Sequence, residues 1–287
     1  MMLKLEDYHL QDPTWCRGCG LYGLFSALKK VAFTLEIKPE KMSIITGIGC
    51  HGRLNRYFNA YGFHSLHGRA LPIAQGVKLA NTQLSVIAVS GDGDAYSIGL
   101  GHFIHSLRRN VDMTYIVVNN RIYGLTQGQT SPTSRMNFVS HSTPYGSKEP
   151  PLEGPQMALA AGGSFIARGF SGAPQQLASL IEAGLKHKGF SLVEVLSPCV
   201  THNKIDTYQW FRSHIVDVDL DPNYDPTNKN KAWEIFSRYG DKLPVGLIYK
   251  ETRPSFEELS LHGRKPLAFL DITPEAGKIE KILEKFE

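Results

Sequence analysis

The sequence has 287 residues, of which 42% are hydrophobic and 20% charged, and its formal net charge at pH 7 is +4. These proportions are typical of a globular protein with enough chain for one large α/β domain or two smaller ones. No apolar run reaches the roughly 18 residues of a membrane span, the charged N-terminal segment lacks a signal-peptide core, and the basic residues are scattered. We therefore expect a cytoplasmic protein that binds neither membrane nor nucleic acid.

Strand-like and helix-like segments alternate along the first two thirds of the chain. Short β-branched runs that stop at glycine, asparagine or proline predict buried strands at residues 42–48, 84–90, 113–118 and 190–197. Helices are predicted at residues 20–33, 72–81, 97–109 and 174–187. This alternation predicts an α/β fold with a mostly parallel sheet and helices on both faces.

The rest of the chain is less regular. Residues 125–156 are rich in Gly, Ser, Thr, Pro and Gln, which predicts a long functional or mobile loop. After about residue 201 the sequence turns polar, with an amphipathic helix at 232–238, a strand-like run at 245–249 and a charged final helix. We expect a ligand-binding domain over residues 1–200 and an irregular C-terminal arm, or a region of contact between subunits, over residues 201–287.

The most informative motif is GDGD at residues 91–94, with NN at 119–120 after the next predicted strand. In a right-handed strand–helix–strand unit both strands end at one edge of the sheet, so Asp92 and Asn120 are expected to converge there. Their oxygens suit Mg²⁺, and the glycines let a diphosphate approach main-chain N–H groups at a helix start. Each motif alone is also an ordinary turn. Together they resemble the signature of thiamine diphosphate enzymes, which implies that Asp92, Asn120 and the carbonyl of Ile122 hold the metal.

The four cysteines form the second informative pattern. Cys16 and Cys19 make one CxxC pair on a glycine-rich turn, whereas Cys50 and Cys199 each follow a predicted strand. In a parallel sheet Cys50 and Cys199 therefore lie at the same edge as the GDGD motif, where open α/β folds bind ligands. One close pair plus two distant cysteines fits a Cys₄ iron–sulfur cluster at least as well as a zinc site, which normally uses two close pairs. The alternative is that one or two of them are buried apolar side chains.

Together these motifs resemble the β subunits of 2-oxoacid:ferredoxin oxidoreductases, particularly the 2-oxoglutarate type, over about residues 15–200. The similarity is carried by WCxGCG (15–20), GIGCHGR (47–53), LHGRALPIAQGVKLAN (66–81), GDGD (91–94) and NNRIYGLTQGQTSPT (119–133). The resemblance implies a thiamine diphosphate-binding fold and a [4Fe–4S] cluster on the four cysteines. It also implies cofactor contacts from nine residues: Ile48, Gly49, Cys50, His51, His67, Gly93, Asp94, Gly124 and Leu125.

Arg53 is the candidate substrate-binding residue. In the family a basic residue three positions after the third cluster cysteine faces the substrate, so the resemblance implies that Arg53 holds a substrate carboxylate. The alternative is an arginine that reaches from a helix into solvent. His67 has a comparable alternative as a structural histidine, and His51 stands where many relatives carry a small residue.

The resemblance implies oxidative decarboxylation of a 2-oxoacid, with the acyl group passing to coenzyme A and electrons passing through the cluster to ferredoxin. It further implies Mg²⁺ and an α or fused γα subunit, as a heterodimer or an (αβ)₂ assembly, that supplies the pyrimidine-activating glutamate and the coenzyme A site. The 2-oxoacid, with 2-oxoglutarate favoured, and the direction of turnover, oxidative or CO₂-fixing, stay open. Two alternatives are a non-redox thiamine diphosphate decarboxylase or synthase subunit and a zinc-stabilised scaffold subunit.

Overall fold

A mostly parallel sheet forms the centre of the structure, a computed structural model that describes residues 3–271 and 277–286. The strands are β1 (Met42–Thr46), β2 (Tyr61–His64), β3 (Ser85–Gly91), β4 (Met113–Asn119), β5 (Ile122–Tyr123), β6 (Gln129–Thr130), β7 (Phe165–Phe170), β8 (Phe190–Leu196), β9 (Ile215–Asp217) and β10 (Leu243–Lys250). Eight of them form one sheet in the order β2-β1-β3-β4-β8-β7-β10-β9, while β5 and β6 form a separate hairpin. Strand β10 runs antiparallel to β7, and the remaining neighbours in the sheet pair in parallel.

Helices cover both faces of this sheet. They are α1 (Leu21–Thr34), α2 (Leu54–Tyr57), α3 (Ala70–Ala80), α4 (Leu100–Arg109), α5 (Gly154–Ala160), α6 (Pro174–Lys186), α7 (Tyr208–His214), α8 (Lys229–Arg238), α9 (Phe256–Leu261) and α10 (Lys278–Leu283). Successive residues of a strand point to opposite faces. Ile44 accordingly belongs to the core under α1 and α6, and Ile45 to the core under α3, α4 and α5. The predicted fold class is confirmed.

Four neighbouring strands, β1, β3, β4 and β8, position the candidate site. They run in the same direction, and their register pairs Thr46 with Val89, Gly91 with Val118, and Asn119 with Leu196. The chain therefore leaves all four strands at nearly the same level of one sheet edge. The segments that carry the GDGD motif, the NN motif, Cys50 and Cys199 all begin at this edge.

Several elements do not follow from the sequence pattern. Strand β2 lies at the sheet edge with all four residues exposed, and β7 lies inside the sheet although it carries Arg168. Arg168 fits there because its Nε donates a 2.6 Å hydrogen bond to Oε2 of Glu194 on the adjacent strand. By contrast, β10 contains the strand-like run predicted at residues 245–249, and together with β9 it extends the same sheet. No helix in the described residues combines the length and apolarity that a membrane span requires.

Candidate functional site

The segments that follow β1, β3 and β4 enclose a cavity of about 310 Å³ at the carboxyl edge of the sheet. Its lining includes the three predicted magnesium ligands, Asp92, Asn120 and Ile122. It also includes all nine predicted cofactor contacts: Ile48, Gly49, Cys50, His51, His67, Gly93, Asp94, Gly124 and Leu125. The fold therefore gathers residues that are separated by up to 77 positions in the sequence around one space.

Asp94 is the buried carboxylate that ties the loops of this cavity together. Its Oδ1 accepts hydrogen bonds from the backbone N–H groups of Ile48, at 3.2 Å, and Gly68, at 2.7 Å. Glycine is required at position 47, since a Cβ there would lie 1.7 Å from Asp94 Oδ2. After Gly93, a single π turn over Asp94–Ile98 precedes α4. Such turns recur at functional sites because they redirect backbone groups.

Two histidines face Asp94 from the cavity wall. His67 Nδ1 lies 2.8 Å from Asp94 Oδ1 but is not aligned to donate a hydrogen bond. His51 is buried, and its Nε2 lies 3.9 Å from Asp94 Oδ2, with neither atom hydrogen-bonded among the described residues. Burial lowers the pKa of His51 to about 4. Unpartnered buried polar atoms at a cavity fit a polar ligand such as a diphosphate-bearing cofactor.

Asp92 provides a fully buried carboxylate for the predicted metal. Its Oδ2 accepts hydrogen bonds from Ser131 Oγ at 2.5 Å and from Thr133 Oγ1 at 2.7 Å. Burial raises the pKa of Asp92 to about 6, although these hydrogen bonds oppose the shift. A buried carboxylate with neutral partners gains from a cation beside it, so its chemistry fits Mg²⁺.

The loop from Asn119 to Ile122 provides the other two predicted metal ligands. Asn120 Oδ1 accepts a 3.1 Å hydrogen bond from the backbone N–H of Ile122, which folds the loop back on itself. Arg121, between the two ligands, has a left-handed backbone with φ of 62°. That conformation is uncommon for a residue with a side chain and persists where surrounding contacts hold it.

The four cysteines line a second cavity of about 220 Å³. Cys16 is exposed, whereas Cys19, Cys50 and Cys199 are partly buried. Burial raises the pKa of Cys19 to about 12, and the other three thiols add to the shift, because thiolates close together repel one another. No group of three or more His, Cys, Asp or Glu side chains in the described residues converges as a single-ion site does. Thiols arranged around a cavity fit a cluster, which is larger than one ion and draws its ligands into the thiolate form.

The two cavities share one wall, which Leu21, Cys50, Val118, Asn120, Gly124 and Leu125 form. Gly124 in this wall lies close to both sites: a Cβ there would be 3.5 Å from Asn120 Nδ2, 3.6 Å from Cys199 Sγ and 3.9 Å from Cys50 Sγ. The predicted metal ligand and two of the thiols are therefore separated by little more than one glycine.

Arg53 lines the cysteine cavity and is not among the residues that line the larger one. It is exposed, and its Nη1 donates a 3.0 Å hydrogen bond to Thr14 Oγ1. The guanidinium also hydrogen-bonds the side chain of Tyr57, so the arginine is held at the cysteine cavity by two neighbours.

Other residues that shape the site were not identified from the sequence. Tyr123 lies against Gly93, and Ser131 and Thr133 bind Asp92 from the long loop. Thr133 Oγ1 is also 2.9 Å from Asn119 Oδ1, and Asn119 Nδ2 donates to Glu194 at 3.3 Å. The hydroxyl-rich TSPT tetrapeptide at residues 130–133 is recognisable in the sequence. Its distance along the chain from Asp92 gives no indication that the two are in contact.

Comparison with known protein families gives a consistent result along the chain. Residues 47–195 match the family model described as thiamine pyrophosphate enzyme, C-terminal TPP binding domain. Residues 199–263 match the model for the C-terminal part of the pyruvate ferredoxin oxidoreductase beta chain. Thiamine pyrophosphate is another name for thiamine diphosphate.

Individual relatives cover most of the chain. A 2-oxoacid:ferredoxin oxidoreductase subunit beta of Aeropyrum pernix is 41% identical over 88% of this chain and 85% of its own. The 2-oxoglutarate synthase subunit KorB of Archaeoglobus fulgidus is 41% identical over 71% of this chain and 78% of its own. A solved structure of 2-oxoglutarate:ferredoxin oxidoreductase from Magnetococcus marinus, with 2-oxoglutarate, coenzyme A and succinyl-CoA bound, superimposes with a TM-score of 0.90 at 37% identity. The match covers 98% of this chain and 96% of that one.

Gly93→Ala tests the close packing of the larger cavity. A Cβ at this position would lie 2.1 Å from the Tyr123 ring, so the ring or the GDGD turn must move. We expect Mg²⁺-dependent binding of thiamine diphosphate, measured by calorimetry, to weaken by about 10–100-fold, the range typical when the groups that support a metal site are disturbed. Gly101→Ala in α4 is the matched control, because in the described part of the chain the added methyl meets nothing within 4 Å beyond its chain neighbours and the helix's own backbone. Equal binding by the two variants would contradict the assignment of this cavity.

Proposed function

Because the chain belongs to the β subunits of 2-oxoacid:ferredoxin oxidoreductases, which are thiamine diphosphate-dependent enzymes, we propose that it takes part in the oxidative decarboxylation of 2-oxoglutarate. In this reaction 2-oxoglutarate, coenzyme A and two oxidised one-electron ferredoxins give succinyl-CoA, CO₂, two reduced ferredoxins and a proton. The observation that carries the proposal is the shared wall between the cofactor cavity and the cysteine cavity. Family membership favours this reaction over both the non-redox and the zinc-scaffold alternatives.

Asp92, Asn120 and the carbonyl of Ile122 would hold Mg²⁺, and the turn at Gly93 would hold the diphosphate beside it. Bound thiamine diphosphate supplies the nucleophilic carbon that makes loss of CO₂ from a 2-oxoacid feasible. The chain's own contribution is to fix the loops around that cofactor. Asp94 does so through Ile48 and Gly68, and the buried ring of His51 contributes to the cavity lining.

Cys16, Cys19, Cys50 and Cys199 would hold a [4Fe–4S] cluster next to the cofactor. Its position is supported by Gly124, which separates two of the sulfur atoms from Asn120. Cys50 lines the cofactor cavity and Cys16 is exposed, so electrons would enter the cluster near Cys50 and leave it near Cys16. The same placement of cluster and cofactor would serve either direction of turnover, oxidative or CO₂-fixing.

The complete enzyme also contains an α subunit, as membership among these β subunits implies. We propose that the α subunit supplies the pyrimidine-activating glutamate and the coenzyme A site, in a heterodimer or an (αβ)₂ assembly. Exposed apolar side chains near the cofactor cavity support a covering partner: Leu125 lines the cavity, Leu66 precedes its lining residue His67, and Ile98 lies against Gly68. We further propose that residues 201–287, with exposed Leu267 and Phe269, form part of the interface with that partner.

Arg53→Met tests the choice of substrate in the α–β complex. Arg53 would pair with a carboxylate of 2-oxoglutarate, and such a charged hydrogen bond contributes about 1.5–3 kcal/mol. We expect the KM for 2-oxoglutarate to rise about tenfold or more, and the KM for pyruvate to change less, in assays of anaerobic viologen reduction. Arg56→Met, in α2 three residues further along the chain, is the control. Equal changes for both 2-oxoacids would contradict a role in recognising the second carboxylate.

Cys199→Ser tests the cluster. Serine cannot replace the thiolate, so we expect the iron content to fall well below about four atoms per chain and the absorption near about 400 nm to be lost. Binding of thiamine diphosphate with Mg²⁺ should stay within about threefold of wild type, since Cys199 does not line that cavity. Stoichiometric zinc in place of iron in the anaerobically purified wild-type protein would instead support the scaffold alternative.

Arg17→Glu tests the electron exit. Arg17 and Lys204 are exposed beside Cys16 and Cys199, and the cavity lining adds Arg53 and His202 but no carboxylate, so the surface suits an acidic ferredoxin. We expect kcat/KM for ferredoxin to fall about tenfold at low salt, with viologen reduction unchanged. Lys188→Glu, at the opposite sheet edge between α6 and β8, is the matched control. Loss of viologen activity as well would show a defect in the cluster rather than in docking.

A further inference from the structure

The segment between Cys199 and α7 is packed against the loop that carries two predicted metal ligands. Asn203, which is buried, donates a 3.1 Å hydrogen bond from Nδ2 to the backbone carbonyl of Asn120. Its own backbone N–H donates to the carbonyl of Cys199 at 3.1 Å. One short segment therefore contacts both the cysteine site and the metal loop.

Asp206 is the charged centre of this segment and is 1% exposed. Its Oδ1 accepts hydrogen bonds from Arg121 Nη1, at 3.4 Å, and from Arg135 Nη2. Its Oδ2 accepts from Asn203 Nδ2 at 3.0 Å. The guanidinium of Arg135 also stacks on Trp210, 3.6 Å from the ring centroid. Both carboxylate oxygens of Asp206 are thus engaged, and both arginines are fixed in place.

These two arginines border the two segments that shape the metal site. Arg121 lies between Asn120 and Ile122 in the left-handed conformation described above, which surrounding contacts must maintain. Arg135 directly follows residues 131–134, in which the hydroxyls of residues 131 and 133 bind Asp92. Within the same stretch, Ser134 Oγ donates to the backbone carbonyl of Arg121 at 2.5 Å, which joins the two segments.

We propose that Asp206 is a positioning residue for the metal site, acting through Arg121 and Arg135. It contacts neither a metal ligand side chain nor the cofactor cavity, but its two ion pairs hold the backbone on which Asn120, Ile122 and the partners of Asp92 are arranged. Removing its charge leaves the buried Arg121 without its carboxylate partner, and the left-handed turn is then free to relax. This inference rests on the proposed Mg²⁺–thiamine diphosphate site.

The test uses the anaerobically purified α–β complex with Asp206→Asn, Asp206→Glu and the control Asp225→Asn, an exposed turn aspartate. The apparent dissociation constant for Mg²⁺ is measured by calorimetry at saturating thiamine diphosphate, alongside iron content and the thermal midpoint without Mg²⁺. We expect Asp206→Asn to raise that constant about tenfold or more, with iron content unchanged, and Asp206→Glu to stay within about threefold. The control should match wild type.

The proposal is overturned if Asp206→Asn binds Mg²⁺ as wild type does, or if it lowers only the thermal midpoint, as a structural residue would. If Asp206→Asn yields no folded complex, Arg135→Gln is used instead, because it removes one ion pair at a partly exposed side chain. This variant should still raise the apparent dissociation constant for Mg²⁺ several-fold. No change in that variant also overturns the proposal. Failure of the wild-type complex itself to bind Mg²⁺ and thiamine diphosphate would instead reject the proposed function, and this inference with it.

Discussion

The parallel alignment of β1, β3, β4 and β8 governs both the core and the site. Their register brings Thr46, Gly91, Asn119 and Leu196 to nearly the same level. The segment that follows each strand can then reach the two adjoining cavities without a long loop. The connections between parallel strands need crossover helices, and those helices bury both faces of the sheet. The same arrangement that makes the core therefore leaves one sheet edge open for the cofactor and the cysteines.

Buried charge is concentrated beneath that edge, and a continuous polar network accommodates it. Asp92 contacts Thr133, which contacts Asn119, and Asn119 in turn donates to Glu194. Glu194 is paired with Arg168 inside the sheet. Removing either member of such a pair leaves a buried charge, which typically costs about 3–5 kcal/mol. Asp92 lies at the cavity end of the network and its hydrogen-bond partners are neutral, so the proposed cation would complete the compensation of charge.

The proximity of the two cavities would let one chain hold both of the proposed ligands. Gly124 belongs to their shared wall, and a larger residue there would bring its side chain to within van der Waals contact of Cys199 and Asn120. Cys50 lines the cofactor cavity, whereas Cys16 does not line it and is exposed. The proposed electron transfer to a separate protein would use both the short distance between the cavities and the accessible surface at Cys16.

Local signals in the chain were enough to identify the fold class, the family and the segments that line the site. The site is marked by short stretches: the strand ends, the GDGD and NN motifs and the cysteines. Their chemistry can be inferred from the residue types themselves, without knowing which distant residues they contact. The inner strand β7 could not be found in this way, because Arg168 breaks its apolar pattern and is stabilised by Glu194 on the next strand. The contacts of Thr133 with Asp92 and of Asp206 with Arg121 also emerged from the folded chain alone, since they join residues 41 and 85 positions apart. Contacts at such separations leave no periodicity in the sequence, because they are fixed by how elements pack rather than by neighbouring residues.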